Sequence, residues 1–155
     1  MRLGALAPAL LAARPPTLPL YGLARVRGLA ASAASDDGGA QPPSVTGVIY
    51  ANDGPTVRLF TKHGCTLCDK AKDVLAQAAA ERPHTLESVD ITDADKAHWW
   101  AKYKYDIPVL HIDGSYWAKH RITLDGALDA LATASEGSFE AQRGEPDASR
   151  LERPR

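Results

Sequence analysis

Acidic residues are missing from the first 35 positions, which hold Arg2, Arg14, Arg25 and Arg27 but no Lys; the first acid is Asp36. Long apolar runs are missing too. The uncharged stretch from Leu3 to Ala13 is well short of the roughly 20 residues a bilayer-spanning helix needs, so no membrane partner is expected. Cysteine is scarce: Cys65 and Cys68 are the only two, too few for a secreted scaffold stapled by several disulfides. A basic excess is also absent. The formal net charge is −1, which gives no support for nucleic-acid binding. What is present is one ordinary domain's worth of chain, 155 residues of which 45% are hydrophobic, with extensions at both ends.

The charge is unevenly spread. All 19 acids, and all but four of the 18 basic residues, lie after position 35. An opening that is basic, acid-free and contains serine has the composition of an organellar transit peptide, because an inside-negative membrane potential draws cationic segments inward. Arg27 to Ser32 is similar to a mitochondrial processing sequence. Residues 1–35 are therefore expected to be a targeting leader and the protein mitochondrial, with a cytoplasmic location as the alternative. A secretory apolar region at Leu3–Ala13, interrupted by Pro8, and a plain tail are the other readings.

Residues 36–55 read as linker, from turn-forming groups such as Asp37-Gly38-Gly39, Pro42-Pro43 and Asn52-Asp53-Gly54-Pro55. Val48-Ile49-Tyr50 is an apolar island within it that either docks on the domain or does nothing. Residues 135–155 mix Glu, Asp, Arg, Pro and Gly with few apolar groups, and read as a disordered tail. The domain itself is expected over 56–134.

Within it, Thr56–Thr61 and Thr85–Asp90 alternate as strands do. Between them, Leu67, Ala71, Val74, Leu75 and Ala78 form one apolar helical stripe over a helix running from Cys68 to Ala80, ended by Pro83. Asp93 or Asp95 is placed to cap a helix carrying His98, Trp99, Trp100 and Tyr103. Pro108–Ile112 and Tyr116–His120 read as strands joined by an Asp113-Gly114 hairpin turn. Thr123 caps a last helix. The fold class is thus α/β: a four-stranded mixed sheet with three helices, the first two strands parallel because a helix connects them.

Cys65-Thr66-Leu67-Cys68 stands where the first strand gives way to the first helix. Free N–H groups and the macrodipole at a helix N-terminus stabilise an anion, so a thiol there has a lowered pKa and is a better nucleophile. The spacing puts the second sulfur one turn on, within reach of the first. Cys65 is the candidate attacking group and Cys68 the resolving one. Lys62 and His63 add positive charge or hydrogen bonds before Cys65; Asp69 opposes it modestly. The same spacing occurs in zinc sites, but four ligands are needed, so two of His63, His84, His98, His111 and His120 would have to converge; no metal is expected. Structural thiols or an inert disulfide are the remaining alternatives. In Ile107-Pro108 a proline opens an apolar strand, which either a trans proline on an edge strand or a cis bond would account for.

Region 56–134 resembles the thioredoxin superfamily, and in particular compact glutaredoxin-like proteins. The resemblance rests on Leu59-Phe60-Thr61-Lys62-His63-Gly64-Cys65-Thr66-Leu67-Cys68, Val89-Asp90-Ile91, Ile107-Pro108-Val109-Leu110 and Ile112-Asp113-Gly114. It implies the thioredoxin fold, a cis Pro108 and a disulfide oxidoreductase. It implies Cys65 and Cys68 as the redox pair, Lys62 and the backbone of Ile107 beside Pro108 as glutathione-binding groups, and glutathione as co-substrate with no bound cofactor. The implied partners are disulfide-containing or glutathionylated proteins, and the implied state is a monomer. Two departures stand out. No Pro-Tyr lies between the cysteines, and Lys119-His120-Arg121-Ile122-Thr123-Leu124-Asp125 replaces the Gly-Gly element that grips the γ-glutamyl carboxylate. Arg121 or the helix start at Thr123 is the candidate substitute. A low-turnover binding module or redox sensor, and less readily a shared iron–sulfur cluster, are the alternative functions.

Trp99 and Trp100 are expected to bury one face and expose the other. A lone His111 on a strand reads as a satisfied structural residue. Lys102, Lys104, Lys119 and Arg121 give one side a mildly basic character.

Overall fold

The computed structural model of the chain describes residues 42–152. The expected leader, the linker up to position 41 and residues 153–155 lie outside the described residues. Elements follow in the order β1 (Gly47–Tyr50), β2 (Thr56–Thr61), α1 (Thr66–Ala78), β3 (Thr85–Asp90), α2 (Ala97–Tyr103), β4 (Val109–Ile112), β5 (Ser115–Lys119) and α3 (Leu124–Ser135).

The sheet has the order β1-β3-β2-β4-β5. Strand β2 lies parallel to β3, with Thr56 opposite Thr85 and Thr61 opposite Asp90, and antiparallel to β4, with Val57 opposite Ile112. The period-two alternation of the strands sends their side chains to two cores. Val57, Leu59, Leu86, Leu110 and Ile112 pack under α1 and α3, against Ala71, Leu75 and Leu131. Phe60, Val89, Val109 and Tyr116 face the other way, against Tyr103 and Trp99 of α2. The result is three layers, as the α/β reading required.

The expected turns and caps hold in the main. Asp113 and Gly114 both take positive φ, 47° and 83°, the pattern of a two-residue hairpin turn whose twist matches the strands. The Thr123 hydroxyl accepts the Gly126 N–H at 3.2 Å and caps α3. Helix α1 starts at Thr66, two residues before the expected start, and its buried line is Cys68, Ala71, Leu75 and Ala78 with Leu67 and Val74 on the flanks.

Three expectations are corrected. First, the sheet has five strands, not four, because the apolar island of the linker docks as β1. The Ser88 hydroxyl bonds the carbonyls of Val45 and Gly47, and the Tyr50 hydroxyl reaches His84 Nε2 at 2.6 Å. Second, neither Asp93 nor Asp95 caps the second helix. The Asp93 carboxylate accepts from Ser44 Oγ at 2.9 Å and Thr46 Oγ1 at 2.6 Å, Asp95 pairs with Lys96, and α2 is entered through a short 3₁₀ turn over Ala94–Lys96 with no side-chain cap. Third, the segment after α3 is laid against the domain as far as it is described. Phe139 packs on the α1–α3 core, the Gln142 N–H donates to the Tyr116 carbonyl at 2.8 Å, and Ala148 is buried. Phe139 and Ala148 are used while Leu151 stays exposed, and two of the segment's acids find cations on α2 and just after it: Glu145 meets Lys102 at 2.6 Å and Glu152 meets Lys104 at 2.7 Å.

Candidate active site

Strand β2 ends at Thr61, and Lys62, His63 and Gly64 turn the chain into α1. Cys65 is the N-cap of that helix, in extended conformation, and its Sγ accepts the Cys68 N–H at 3.3 Å. A side chain at an N-cap ordinarily satisfies one of the orphan N–H groups of the first turn; here a sulfur takes that place. Cys65 and Cys68 are joined in a disulfide with their Cα atoms 5.2 Å apart. Their surroundings differ. Cys68 is 0% exposed and belongs to the core with Ala71 and Leu75, whereas Cys65 is only partly buried. A group arriving from solvent meets Cys65 and not Cys68. The one acid in the first turn, Asp69, is engaged by Lys72 at 3.2 Å, which tempers its opposition to an anion at Cys65.

Behind the motif lies a fixed carboxylate. Asp90, at the end of β3, is buried, and accepts from the N–H and hydroxyl of Thr92 at 2.9 and 2.6 Å and from the Val45 N–H at 3.2 Å. Burial alone would raise its pKa; these hydrogen bonds, with His63 nearby, overcome that and hold the carboxyl below the usual range. Asp90 thus anchors the β1 arm beside His63.

The expected site residues fall into two groups. Cys68 belongs to the α1–α3 core and Cys65 and Ile107 pack against that core, with the Ile107–Pro108 peptide cis as expected and Ile107 reaching the second core as well. Lys62 and Arg121 line different clefts. Lys62 lines one of about 470 Å³ with His63, Thr92, Asp93 and Ser44. Arg121 lines another of about 190 Å³ with Leu67, Lys70, His120 and Ile122. Reading residues alone missed two features. The arm at Ser44 forms a wall of the Lys62 cleft. Asp106, just before Ile107, ties the entry of β4 to the exit of β5, accepting from Lys119 Nζ at 2.5 Å and lying 3.4 Å from His120 Nε2. The acid-before-Ile-Pro pattern carries no local signal for that contact, since its partners come 13 and 14 residues later.

Two of the histidines that a zinc site would draw on are used elsewhere. His84 Nδ1 bonds the Arg82 carbonyl at 2.8 Å and its Nε2 bonds Tyr50. His111 is buried with its Nε2 3.0 Å from the Tyr103 hydroxyl. Burial pushes both imidazoles below their ordinary pKa, which suits neutral, structural rings. Trp99 stacks on Tyr103 with ring centres 5.3 Å apart, while Trp100 is exposed.

The family model described as Glutaredoxin-like domain (DUF836) matches residues 56–132, from the first residue of β2 into α3. The Dictyostelium discoideum protein named Glutaredoxin-like protein YDR286C homolog is 32% identical over 95 residues, covering 59% of this chain and 88% of that protein. A thioredoxin-type sheet with Cys65-x-x-Cys68 at a helix start and a proline opening the fourth strand is what that family resemblance implies, and the chain belongs to the glutaredoxin-like family.

Proposed function

We propose that the chain is a thiol–disulfide oxidoreductase that reduces protein disulfides or glutathione mixed disulfides. The observation that carries the reading is the asymmetry of the pair: Cys65 accessible at the N-cap of α1, its sulfur receiving the Cys68 N–H, and Cys68 buried behind it. In the reduced protein the Cys65 thiolate attacks one sulfur of the substrate disulfide. A Cys65–substrate disulfide forms, the substrate S–S bond breaks, and one substrate thiolate leaves and takes a proton. The Cys68 thiol then loses its proton and attacks the Cys65 sulfur, forming the Cys65–Cys68 disulfide and releasing the second substrate thiol. Two electrons pass from the protein to the substrate. Two glutathione thiols, oxidised to glutathione disulfide, restore the dithiol.

Lys62 and the Ile107 backbone beside Pro108 are the proposed contacts for glutathione or a peptide, with Arg121 replacing the missing Gly-Gly element. The Arg-rich, acid-free leader supports action in mitochondria, on disulfide-containing or glutathionylated proteins, with the chain as a monomer. A second reading, a binding module or redox sensor of low turnover, is favoured by the separation of Lys62 and Arg121 into two clefts.

The test is glutathione-coupled reduction of a small mixed disulfide by the wild type, Cys65→Ser and Cys68→Ser. Loss in Cys65→Ser alone supports a one-cysteine glutathione route, and loss in both supports a dithiol route. An inactive wild type that still binds glutathione supports the module or sensor.

A further inference from the structure

The groove that holds Arg121 runs along α1, away from the cysteines. Its floor is apolar: Leu67, Val74 and Ile122, each half-buried. Its rim is cationic. Lys70 and Arg121 are exposed, and neither is paired with a carboxylate among the described residues. His120 adds ring nitrogens on the same rim, and the carboxylate near it, Asp106, is already engaged by Lys119 at 2.5 Å. No acid lines the groove.

Length narrows the occupant. Val74 lies nine residues along the helix from Cys65, a rise of about 13 Å at ~1.5 Å per residue. Extended chain covers at most about 3.5 Å per residue. A group resting on Val74 therefore belongs to a residue some four positions from a cysteine engaged at Cys65. That is beyond the single residue glutathione places on either side of its own cysteine.

Resting on the exchange reading above, we infer that this groove docks an acidic segment of the protein whose disulfide is exchanged. Carboxylates on that segment meet Lys70 and Arg121, and an aliphatic side chain covers Leu67, Val74 and Ile122. Unpaired cations around a low-dielectric floor raise the local concentration of an anionic chain and speed its association. The charge sets which disulfide proteins react fastest; the sulfur chemistry is unchanged.

The test uses three disulfide-bonded peptides, identical in their cysteines and in one leucine four positions away, with acidic, neutral or basic flanks. Each is reduced by the full-length reduced protein at low salt. The expected result is an acidic-over-basic rate ratio of roughly ten or more, in the range electrostatic steering produces, shrinking at high salt. The ratio falls toward one in Lys70→Glu, while the rate with glutathione disulfide changes less. A ratio near one in the wild type, with the neutral peptide reduced normally, overturns the inference and leaves the exchange reading intact. An equal loss with glutathione disulfide in Lys70→Glu overturns it by extending the glutathione contact proposed at Arg121 along the groove to Lys70. Failure to reduce any peptide overturns the exchange reading, and this inference with it.

Discussion

The His120 N–H donates to the Pro108 carbonyl at 2.7 Å, across the gap between the exit of β5 and the entry of β4. His120 makes this bond from the left-handed region, with φ 65°, where a Cβ crowds the backbone. The bond fixes the loop that carries Arg121 against the strand that carries Pro108. A β-branched residue at this position is expected to destabilise the fold by about 1–2 kcal/mol, while Gly and Asn are tolerated. Chemical denaturation of His120→Val, His120→Asn and His120→Gly checks this. A valine variant as stable as the wild type contradicts it.

A second prediction concerns the loop into β2. A Cβ on Gly54, whose φ is +109°, would lie 2.4 Å from the Pro83 carbonyl oxygen. Both the backbone conformation and the fixed carbonyl oppose any side chain there. Gly54→Ala is expected to cost more than about 1 kcal/mol, read as a lowered denaturation midpoint with an unchanged slope.

The third concerns the C-terminal segment. Glu145 accepts from the Tyr103 hydroxyl and pairs with Lys102, and the Tyr103 phenol is pushed above its ordinary pKa by burial and by this carboxylate. Glu145→Ala removes an acceptor from a partly buried cluster and is expected to cost about 1 kcal/mol, with Glu145→Gln intermediate. Hydrogen exchange of α2 amides should rise in the alanine variant. Unchanged exchange would mean that the segment contributes nothing to the hold on α2.

The fourth is a pH dependence. Burial lowers the pKa of His84 and of His111 below the usual 6.5. The unfolded chain then binds protons that the folded protein resists, so the stability these neutral rings contribute is complete above that value. It is lost as the pH falls through it toward the lower folded values. Neutral His84 donates from Nδ1 to the Arg82 carbonyl and accepts from the Tyr50 hydroxyl at Nε2, holding β1 to the sheet; burial pushes the Tyr50 phenol up to about 12, so it keeps its proton. The melting temperature is expected to decline between about pH 7 and about pH 5, and His84→Asn to flatten the decline while lowering the plateau. A wild-type curve flat over that range contradicts the assignment.

Much of this architecture was legible in the residues. The alternation of Thr56–Thr61, the helical stripe around Ala71 and Leu75, and the Asp113-Gly114 turn are local patterns, and local patterns decide local structure. The Cys65-x-x-Cys68 spacing could be placed at a helix start for the same reason. What escaped depended on distant partners. Gly47–Tyr50 is a strand because Ser88 bonds the carbonyls of Val45 and Gly47 from more than 40 residues away. Asp93 looked like a helix cap because nothing nearby showed that Ser44 and Thr46 would claim it. Glu145 and Glu152 read as solvated because the cations that neutralise them sit on α2 and just after it, 43 residues earlier for Glu145. The division of Lys62 and Arg121 between two clefts follows from how the arm at Ser44 and the loop at His120 flank the motif, which no spacing rule encodes.

Cys65 is proposed as the attacking sulfur and Cys68 as the resolving one. The decisive experiment mixes each reduced single-cysteine variant with a glutathionylated peptide and weighs the products by intact-protein mass spectrometry. Cys68→Ser is expected to accumulate a mixed disulfide at Cys65, and Cys65→Ser to form none on the same timescale, because Cys68 is fully buried. Equal adducts in the two variants, or an adduct at Cys68 alone, would contradict it.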